Sequence, residues 1–196
     1  MKPILFASGT HEVNQVFFVR VPKTRRVGDE NQGWTVAKYL LEFERGGGGM
    51  AAQQTALGRL RRLAAQTPAN GSALADDPGF RRRLDAVDVQ VQAAQYAEFR
   101  IMAALSQGRN PGPESSLMKN LSAGISQRIT ELMVETVGHH CLVKPTGDPA
   151  GEGRKPAGRE RGDLAFTRYF NLRASSIAGG TDEVQKNIIA KLVLGL

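Results

Sequence analysis

Apolar residues recur every three or four positions through two long stretches of this chain, and that spacing predicts two long helices. The first helix should begin at Asp77-Pro78, an N-cap candidate followed by proline in the first helical position, and end near Gly108. The second should begin at Pro113-Glu114. Their apolar stripes are Phe80, Leu84, Val87, Val91, Ala94, Ile101 and Leu105, and Leu117, Leu121, Ile125, Ile129, Leu132, Met133 and Val137. Each stripe must be buried against another element, which favours a helical bundle.

Shorter segments continue the helical pattern on both sides. Apolar residues at 34, 37, 40 and 41 are followed by four glycines at 46–49, each costing about 1 kcal/mol relative to alanine inside a helix, so we expect a break there. A second set comprises Leu57, Leu60 and Leu63. A long polar loop at 145–162 precedes two helices, roughly 163–177 and 181–194. The last should bury Val184, Ile188, Ile189, Leu192 and Val193. The fold class is therefore all-α, an up-and-down bundle.

The N-terminal part has a different pattern. His11–Val21 alternates with a period of about two and is rich in β-branched and aromatic residues, which predicts a strand that ends at Pro22. We therefore divide the chain into an extended segment, 1–27, and a helical domain, 28–196.

Composition narrows the possible partners. The chain carries 26 Lys and Arg against 19 Asp and Glu, a net charge of +7, and arginines cluster at 59–62 and 81–83. Such clusters usually form a solvated surface, and the alternative is attraction of a polyanion. Because no aromatic residues are interleaved with them and no nucleic-acid motif is present, we expect no nucleic-acid partner.

The cellular setting follows from what the sequence lacks. No apolar run approaches the ~18 residues of a membrane span, and the opening apolar stretch stops at Gly9, short of a signal-peptide core. A single cysteine, Cys141, excludes an internal disulfide framework. Its neighbours His139 and His140 are adjacent on a predicted helix and do not face each other. We expect a cytoplasmic protein without a membrane span or a metal site.

A carboxylate interrupts the apolar side of the predicted helix that begins near Trp34. Advancing ~100° per residue places five residues within about a quarter of the circumference: Trp34, Ala37, Leu41, Glu44 and Arg45. A carboxylate on a buried face either pairs with a cation or is partly desolvated, and the second state suits a general base. The residues alone leave both roles of Glu44 open. The adjoining glycine run permits a flat group or a neighbouring chain to approach closely.

The segment 179–183, Gly-Gly-Thr-Asp-Glu, begins the last predicted helix. Its glycines permit a sharp turn, Thr181 can cap the helix, and the two acids complement the helix dipole. These features are complete as a structural helix start, and nothing in them requires a ligand.

Four segments match one known family in order along the chain. They are residues 31–34 (NQGW), 41–47 (LEFERGG), 113–117 (PESSL) and 179–191 (GGTDEVQKNIIAK). Together they resemble the C-terminal half of acyl-CoA dehydrogenases, and the last segment is highly specific. The resemblance implies an FAD flavoprotein that oxidises an acyl-CoA thioester to its α,β-unsaturated product. It also implies that His11–Val21 is the last strand of the family's middle β-domain.

The resemblance also assigns roles to individual residues. Most members carry the catalytic glutamate directly before the glycine-hydroxyl pair that starts the final helix, and Gly179 stands there in this chain. A subset carries it on the earlier helix before an arginine, as in Glu44-Arg45. Glu44 is therefore implied to be the catalytic base. Substrate-binding residues along the CoA moiety would be Arg45 and Glu42, and cofactor-binding residues near the FAD would be Gly180, Thr181 and Glu183.

Three functional hypotheses follow. The first is a dehydrogenase subunit that acts with a chain supplying the N-terminal and β domains, in a homo- or hetero-oligomer whose electron acceptor is unknown. The second is a non-catalytic helical partner that stabilises another acyl-CoA dehydrogenase subunit. The third is a basic helical adaptor for polyanions. We adopt the first as the working prediction.

Overall fold

The computed structural model describes residues 4–6, 9–11, 22–45, 49–139 and 159–196. Helices dominate this part of the chain, so the predicted all-α fold is confirmed. The α-helices are α1 (Gly33–Arg45), α2 (Met50–Ala65), α3 (Pro78–Ser106), α4 (Glu114–Val137), α5 (Arg159–Leu172) and α6 (Asp182–Ile189). Short 3-10 turns cover Lys23–Arg25, Leu74–Asp76 and Arg173–Ser176, and α6 continues into a π-helical turn, Ala190–Leu194.

Helix α4 lies at the centre of the bundle and contacts α1, α2, α3, α5 and α6. The buried core lies mainly where α2, α3 and α4 meet. Its members with larger side chains are Met50, Leu57, Leu60, Phe80, Leu84, Val87, Val91, Ile101, Met118, Ile125, Ile129, Leu132 and Met133. Burial of these apolar side chains is the main driving force that holds the helices together.

The predicted start of α3 is confirmed in detail. The Asp77 carboxylate accepts a hydrogen bond from the Phe80 backbone N–H at 2.7 Å, and Pro78 takes the first helical position. This cap satisfies a donor that the first turn leaves without a helical partner. Phe80 is 1% exposed, so the cap also places the first core residue of the stripe.

Two residues of the predicted apolar stripes are exposed, so the prediction that they are buried is wrong. Leu105 is 36% exposed and Leu117 is 43% exposed. Both lie where α3 ends and α4 begins, beside the connection between the two helices. Periodicity identifies the apolar face of a helix. Burial of a residue on that face also requires a neighbouring element beside it, and the ends of paired helices have fewer neighbours.

The predicted buried face of the C-terminal helix is also wrong at three positions. Val184, Leu192 and Val193 are 47%, 69% and 55% exposed. Instead, Gln185 is 0% exposed. Helix α6 packs on α4, and the side of α6 that is buried is the one that carries the Gln185 amide.

The structure contains two short antiparallel hairpins among the described residues. Strands β1 (Ile4–Phe6) and β2 (Gly9–His11) form the first. Apart from His11, the predicted strand over 11–21 lies outside the described residues. Strands β3 (Pro68–Ala69) and β4 (Ser72–Ala73) form the second, which the pattern analysis missed. Its turn has positive φ values of 47° at Asn70 and 86° at Gly71. An Asn-Gly pair favours these values and is a strong sequence signal for a hairpin.

Helix α5 begins at Arg159, four residues before the predicted start at Asp163. Most of the predicted loop at 145–162 lies outside the described residues. Within the part of the chain that the structure covers, no helix combines the length and the apolar character that crossing a membrane requires.

Candidate active site

Helix α1 carries the predicted base but is less buried than predicted. Trp34 is 71% exposed and Glu44 is also exposed, whereas Ala37 and Leu41 are half-buried. The prediction that all of this face is buried is therefore wrong for the described part of the chain. Helix α1 packs against α4, but Trp34 lies largely open to solvent in the part of the chain that the structure describes.

Glu44 nevertheless lies on the wall of a cleft with a volume of about 550 Å³. Helices α1 and α4, the start of α2, the middle of α3 and the segment from the end of α5 to Gly179 surround it. Most of the lining is apolar or small: Leu41, Gly49, Met50, Met118, Ala123, Leu172, Ala178 and Gly179. The structure thus brings Glu44 and Gly179 to one cavity, although 134 residues lie between them in the sequence.

Two glycines shape the turn that closes the cleft before α6. Gly179 and Gly180 have φ values of 71° and 99°, a region that disfavours residues with a side chain. A Cβ built on Gly179 would meet no atom of the described residues within 4 Å. The turn therefore leaves open space at the position where most family members, by the resemblance, carry the base.

A buried amide holds this turn in place. Gln185 Nε2 donates hydrogen bonds to the carbonyl oxygens of Gly179 at 3.1 Å and Gly180 at 3.4 Å. Because Gln185 is 0% exposed, these bonds lie away from competing water. Sequence reasoning missed Gln185. Helical spacing gives no signal for its burial, since Lys186 and Asn187 also lie between Val184 and Ile188 and are exposed.

Side chains of helix α4 bind the first residue of α6. Lys119 Nζ lies 2.8 Å from Asp182 Oδ1, and the Lys119 side chain is 10% exposed. Asn120 Nδ2 donates to the Asp182 carbonyl at 3.2 Å. Lys119 also lines the cleft, so one residue connects the cleft wall with the start of α6.

The first turn of α6 confirms the predicted cap. Thr181 Oγ1 accepts a hydrogen bond from the Val184 N–H at 3.3 Å. Hydrogen bonds from its own backbone N–H and from the Thr181 hydroxyl lower the pKa of the exposed Glu183 carboxyl. Thr181 and Glu183 thus pair with each other beside the cleft, and neither belongs to its described lining.

A second carboxylate in the cleft was not predicted. Glu98, 6% exposed, lines the cleft and accepts a hydrogen bond from the Gly49 N–H at 3.1 Å. Gly49 is the N-cap of α2 and has no side chain to cap that helix, so the Glu98 carboxylate reaches across from α3 to do so. Position 98 falls on the α3 stripe between Ala94 and Ile101, and a charged residue on that stripe was the available signal.

The remaining predicted site residues are only partly described. Glu42 is half-buried and does not belong to the described lining of the cleft. The side chain of Arg45 lies outside the described residues, as do His140 and Cys141. In the described ranges, no group of three His, Cys, Asp or Glu residues is placed to hold a metal ion.

The basic clusters are partly neutralised by acids. Arg61 pairs with Asp88 at 2.8 Å, and Arg81 lies 4.0 Å from Asp85. Arg83 donates hydrogen bonds from its two terminal guanidinium nitrogens to the Glu135 carboxylate, and this pairing raises the pKa of Arg83. This pairing agrees with the interpretation of the clusters as a solvated surface.

Comparisons with known proteins connect this geometry to one family. The model for the acyl-CoA dehydrogenase C-terminal domain matches residues 31–194. The acyl-CoA dehydrogenase IpdE1 of Mycobacterium tuberculosis is 32% identical over 201 residues, which cover 100% of this chain and 47% of IpdE1. A chain of the ChsE4-ChsE5 complex from the same organism has a TM-score of 0.72 at 25% identity, over 100% of this chain and 48% of its own length.

A solved structure with lower sequence identity has the same fold. The butyryl-CoA dehydrogenase of Megasphaera elsdenii is 19% identical and has a TM-score of 0.69, over 89% of this chain and 42% of its own length. The chain spans about half or less of the length of the curated relatives it matches. The family match covers all six α-helices of the described residues and the cleft between them. On this evidence the chain belongs to the acyl-CoA dehydrogenase family, in which it corresponds to the C-terminal domain.

Proposed function

We propose that this chain takes part in FAD-dependent α,β-dehydrogenation of an acyl-CoA thioester, together with a chain that supplies the N-terminal and β domains. The Glu44 carboxylate removes the proton from the α carbon. Bound FAD would accept the β-hydrogen as a hydride, which would allow the Cα–Cβ double bond to form. The two electrons lost by the acyl group would pass to FAD and from there to a separate electron acceptor.

The observation that carries this proposal is the cleft that Glu44 shares with Gly179. Its lining is mainly apolar and suits an acyl chain. A general base must come within hydrogen-bond reach of the proton it removes, and a carboxylate on the cleft wall meets that need. The open space beside Gly179 leaves room for the substrate where no side chain projects.

The residues near the start of α6 fit one edge of a flavin site. The glycine turn has no side chain that would obstruct a flat ring, and Thr181 and Glu183 are held in place by their mutual hydrogen bond. Bound FAD would supply the hydride acceptor. We propose Gly180, Thr181 and Glu183 as contacts to the cofactor, and Arg45 and Glu42 as contacts to the CoA moiety.

The test uses this chain purified with a co-expressed chain that carries the missing domains. With an acyl-CoA, the complex should bleach its flavin absorbance and reduce a dye. Glu44→Gln should lower turnover by about 10²-fold or more, because a carboxamide cannot accept the α-proton. Flavin content and complex formation should stay unchanged.

Glu30→Gln provides a matched control. It makes the same chemical change at a carboxylate that is 82% exposed and paired with Arg26, outside the cleft. Its turnover should equal that of the unaltered complex. Unchanged turnover in Glu44→Gln would remove Glu44 as the base.

A second candidate is a non-catalytic subunit that stabilises an acyl-CoA dehydrogenase partner. Exposed apolar side chains on α1 and at the C-terminus favour it, among them Trp34 at 71% and Leu192 at 69% exposure. Under this alternative the complex forms and turns over substrate, but its activity does not respond to Glu44→Gln. The same experiment therefore separates the two candidates.

A further inference from the structure

We propose that Lys119 is a positioning residue that sets where the cofactor contacts at the start of α6 lie. This inference rests on the proposed function, because it takes Thr181 and Glu183 as contacts to FAD. Lys119 acts through Asp182, the residue between these two in the sequence. The ion pair thereby links the wall of the cleft to the turn that would hold one edge of the flavin.

The ion pair between Lys119 and Asp182 lies largely away from solvent. Lys119 Nζ is 2.8 Å from Asp182 Oδ1, and the two side chains are 10% and 32% exposed. An exposed ion pair is weak because water solvates both partners. A largely buried cation that loses its partner, in contrast, keeps the cost of its desolvation. This pair therefore holds Asp182 against α4 more firmly than a surface contact does.

A second bond from α4 reaches the same residue. Asn120 Nδ2 donates a hydrogen bond to the Asp182 carbonyl oxygen at 3.2 Å. Consecutive residues of α4 therefore bind the side chain and the backbone of Asp182. Two attachment points restrict the rotation of the first turn of α6 as well as its translation. Because Asp182 directly follows the N-cap Thr181, the positions of its neighbours are restricted with it.

The other hydrogen bonds of this turn act within it. Thr181 Oγ1 accepts from the Val184 N–H, and Gln185 donates to the carbonyls of Gly179 and Gly180. These bonds set the shape of segment 179–185 but join residues of that segment to each other. The bonds from α4 set where the segment lies, and α4 also forms a wall of the cleft. The ion pair therefore fixes the proposed flavin contacts relative to the proposed acyl site.

Cofactor affinity tests the proposal, in the complex with the chain that supplies the missing domains. FAD is removed and titrated back, and its fluorescence gives the apparent Kd. Lys119→Met is similar in length but removes the charge. If the turn then adopts its cofactor-competent position about a tenth of the time, the apparent Kd should rise about tenfold. Amide hydrogen exchange at residues 181–185 of the FAD-free complex should accelerate, with α3 unaffected.

Asp182→Asn removes the same ion pair from the other side. This variant keeps the backbone carbonyl that Asn120 binds, and it alters the more exposed partner, so it tests the pair even where Lys119→Met does not fold. Because both variants break one interaction, the double variant should bind FAD about as tightly as either single variant. Independent effects would instead multiply to about a hundredfold loss of affinity.

Two controls separate positioning from overall stability and from charge. Val91→Ala leaves a cavity in the core at a side chain that is 1% exposed and outside the cleft lining, so it destabilises the bundle without touching the ion pair. Lys191→Met makes the same chemical change as Lys119→Met at an exposed lysine. Neither control should alter the FAD affinity of the folded complex.

Three results would overturn the proposal. They are an unchanged Kd in a folded Lys119→Met or Asp182→Asn complex, a double variant whose loss is the product of the two single losses, and a Val91→Ala complex that loses FAD affinity as strongly as Lys119→Met. An unchanged Kd with intact flavin reduction by an acyl-CoA would overturn this proposal alone. A complex that binds no FAD would overturn the proposed function as well.

Discussion

At the scale of single residues, hydrogen bonds within one turn account for several features of the site. Thr181 accepts from the Val184 N–H, and its hydroxyl also serves the Glu183 carboxylate. At the start of α3, the Asp77 carboxylate likewise accepts a hydrogen bond from the Phe80 backbone N–H. Each contact joins residues two or three positions apart, so residue type and spacing suffice to predict it.

The pKa of Glu183 provides a test at this scale. Its own backbone N–H and the Thr181 hydroxyl hold this pKa below its ordinary value. Thr181→Ala should raise it, whereas Thr181→Ser should keep it low, as measured by carboxyl ¹³C NMR titration. Because folding lowers the pKa, the ionised carboxylate stabilises the fold at any pH above the ordinary pKa of an unfolded glutamate.

The sign of the pH dependence follows from that shift. The stabilisation by Glu183 should disappear as the pH falls through its folded-state pKa. The unfolding midpoints of the unaltered chain and of Glu183→Gln should therefore differ near pH 7 and converge in acid. A difference that grew on acidification would contradict the assigned hydrogen bonds.

At the scale of elements, hydrogen bonds and an ion pair hold together the segments that form the walls of the cleft. Gln185 binds the carbonyls of the glycine turn, and Lys119 and Asn120 fasten the start of α6 to α4. Glu98 joins α3 to the start of α2. These bonds connect residues on different elements, with the exception of Gln185, which reaches back to the turn before its own helix.

We expect Gln185→Leu to loosen the glycine turn. Leucine is similar in size but cannot donate a hydrogen bond, so the carbonyls of Gly179 and Gly180 lose a buried partner, at a cost of about 1–3 kcal/mol. Amide hydrogen exchange in residues 178–183 should accelerate at least tenfold, with α3 unaffected. Lys186→Met, at an exposed position on the same helix, serves as the control.

Should exchange in the turn stay as slow in Gln185→Leu as in the unaltered chain, these hydrogen bonds do not hold the turn. Equal acceleration throughout the chain would instead mean that Gln185 supports the whole bundle.

At the scale of the whole molecule, the fold concentrates its core along α4 and leaves apolar residues exposed at the edges. Leu60 is 0% exposed, whereas Leu117 is 43% exposed although both lie on predicted apolar stripes. The stability of the chain should therefore depend on the core where α2, α3 and α4 meet. The ends of the helices should contribute much less.

This contrast is testable with a pair of leucine substitutions. Leu60→Ala should lower the free energy of unfolding by about 2–5 kcal/mol, because it leaves a cavity in the packed core. Leu117→Ala should lower it by about 0.5 kcal/mol or less, as is usual at exposed positions. Urea unfolding followed by circular dichroism measures both. Equal losses would show that Leu117 is buried in solution.

The amino-acid sequence is sufficient for the features that depend on near neighbours along the chain. Helical spacing predicted the bundle, Asp77 and Thr181 were identified as caps, and the glycine turn before α6 was placed correctly. The family resemblance selected Glu44, and its catalytic role stays a prediction. Caps, turns and helix periods are local, so they can be inferred from residue type and spacing alone.

Tertiary packing, in contrast, controls which helix faces are covered and which distant residues come into contact. It exposed Trp34 and Leu192, buried Gln185 and Glu98, and brought Glu44 and Gly179 to one cleft. Burial depends on whether another element lies against a given face, and that depends on how helices far apart in the chain pack. Helical periodicity carries no information about that neighbour, and this is the physical reason for both the errors and the missed residues.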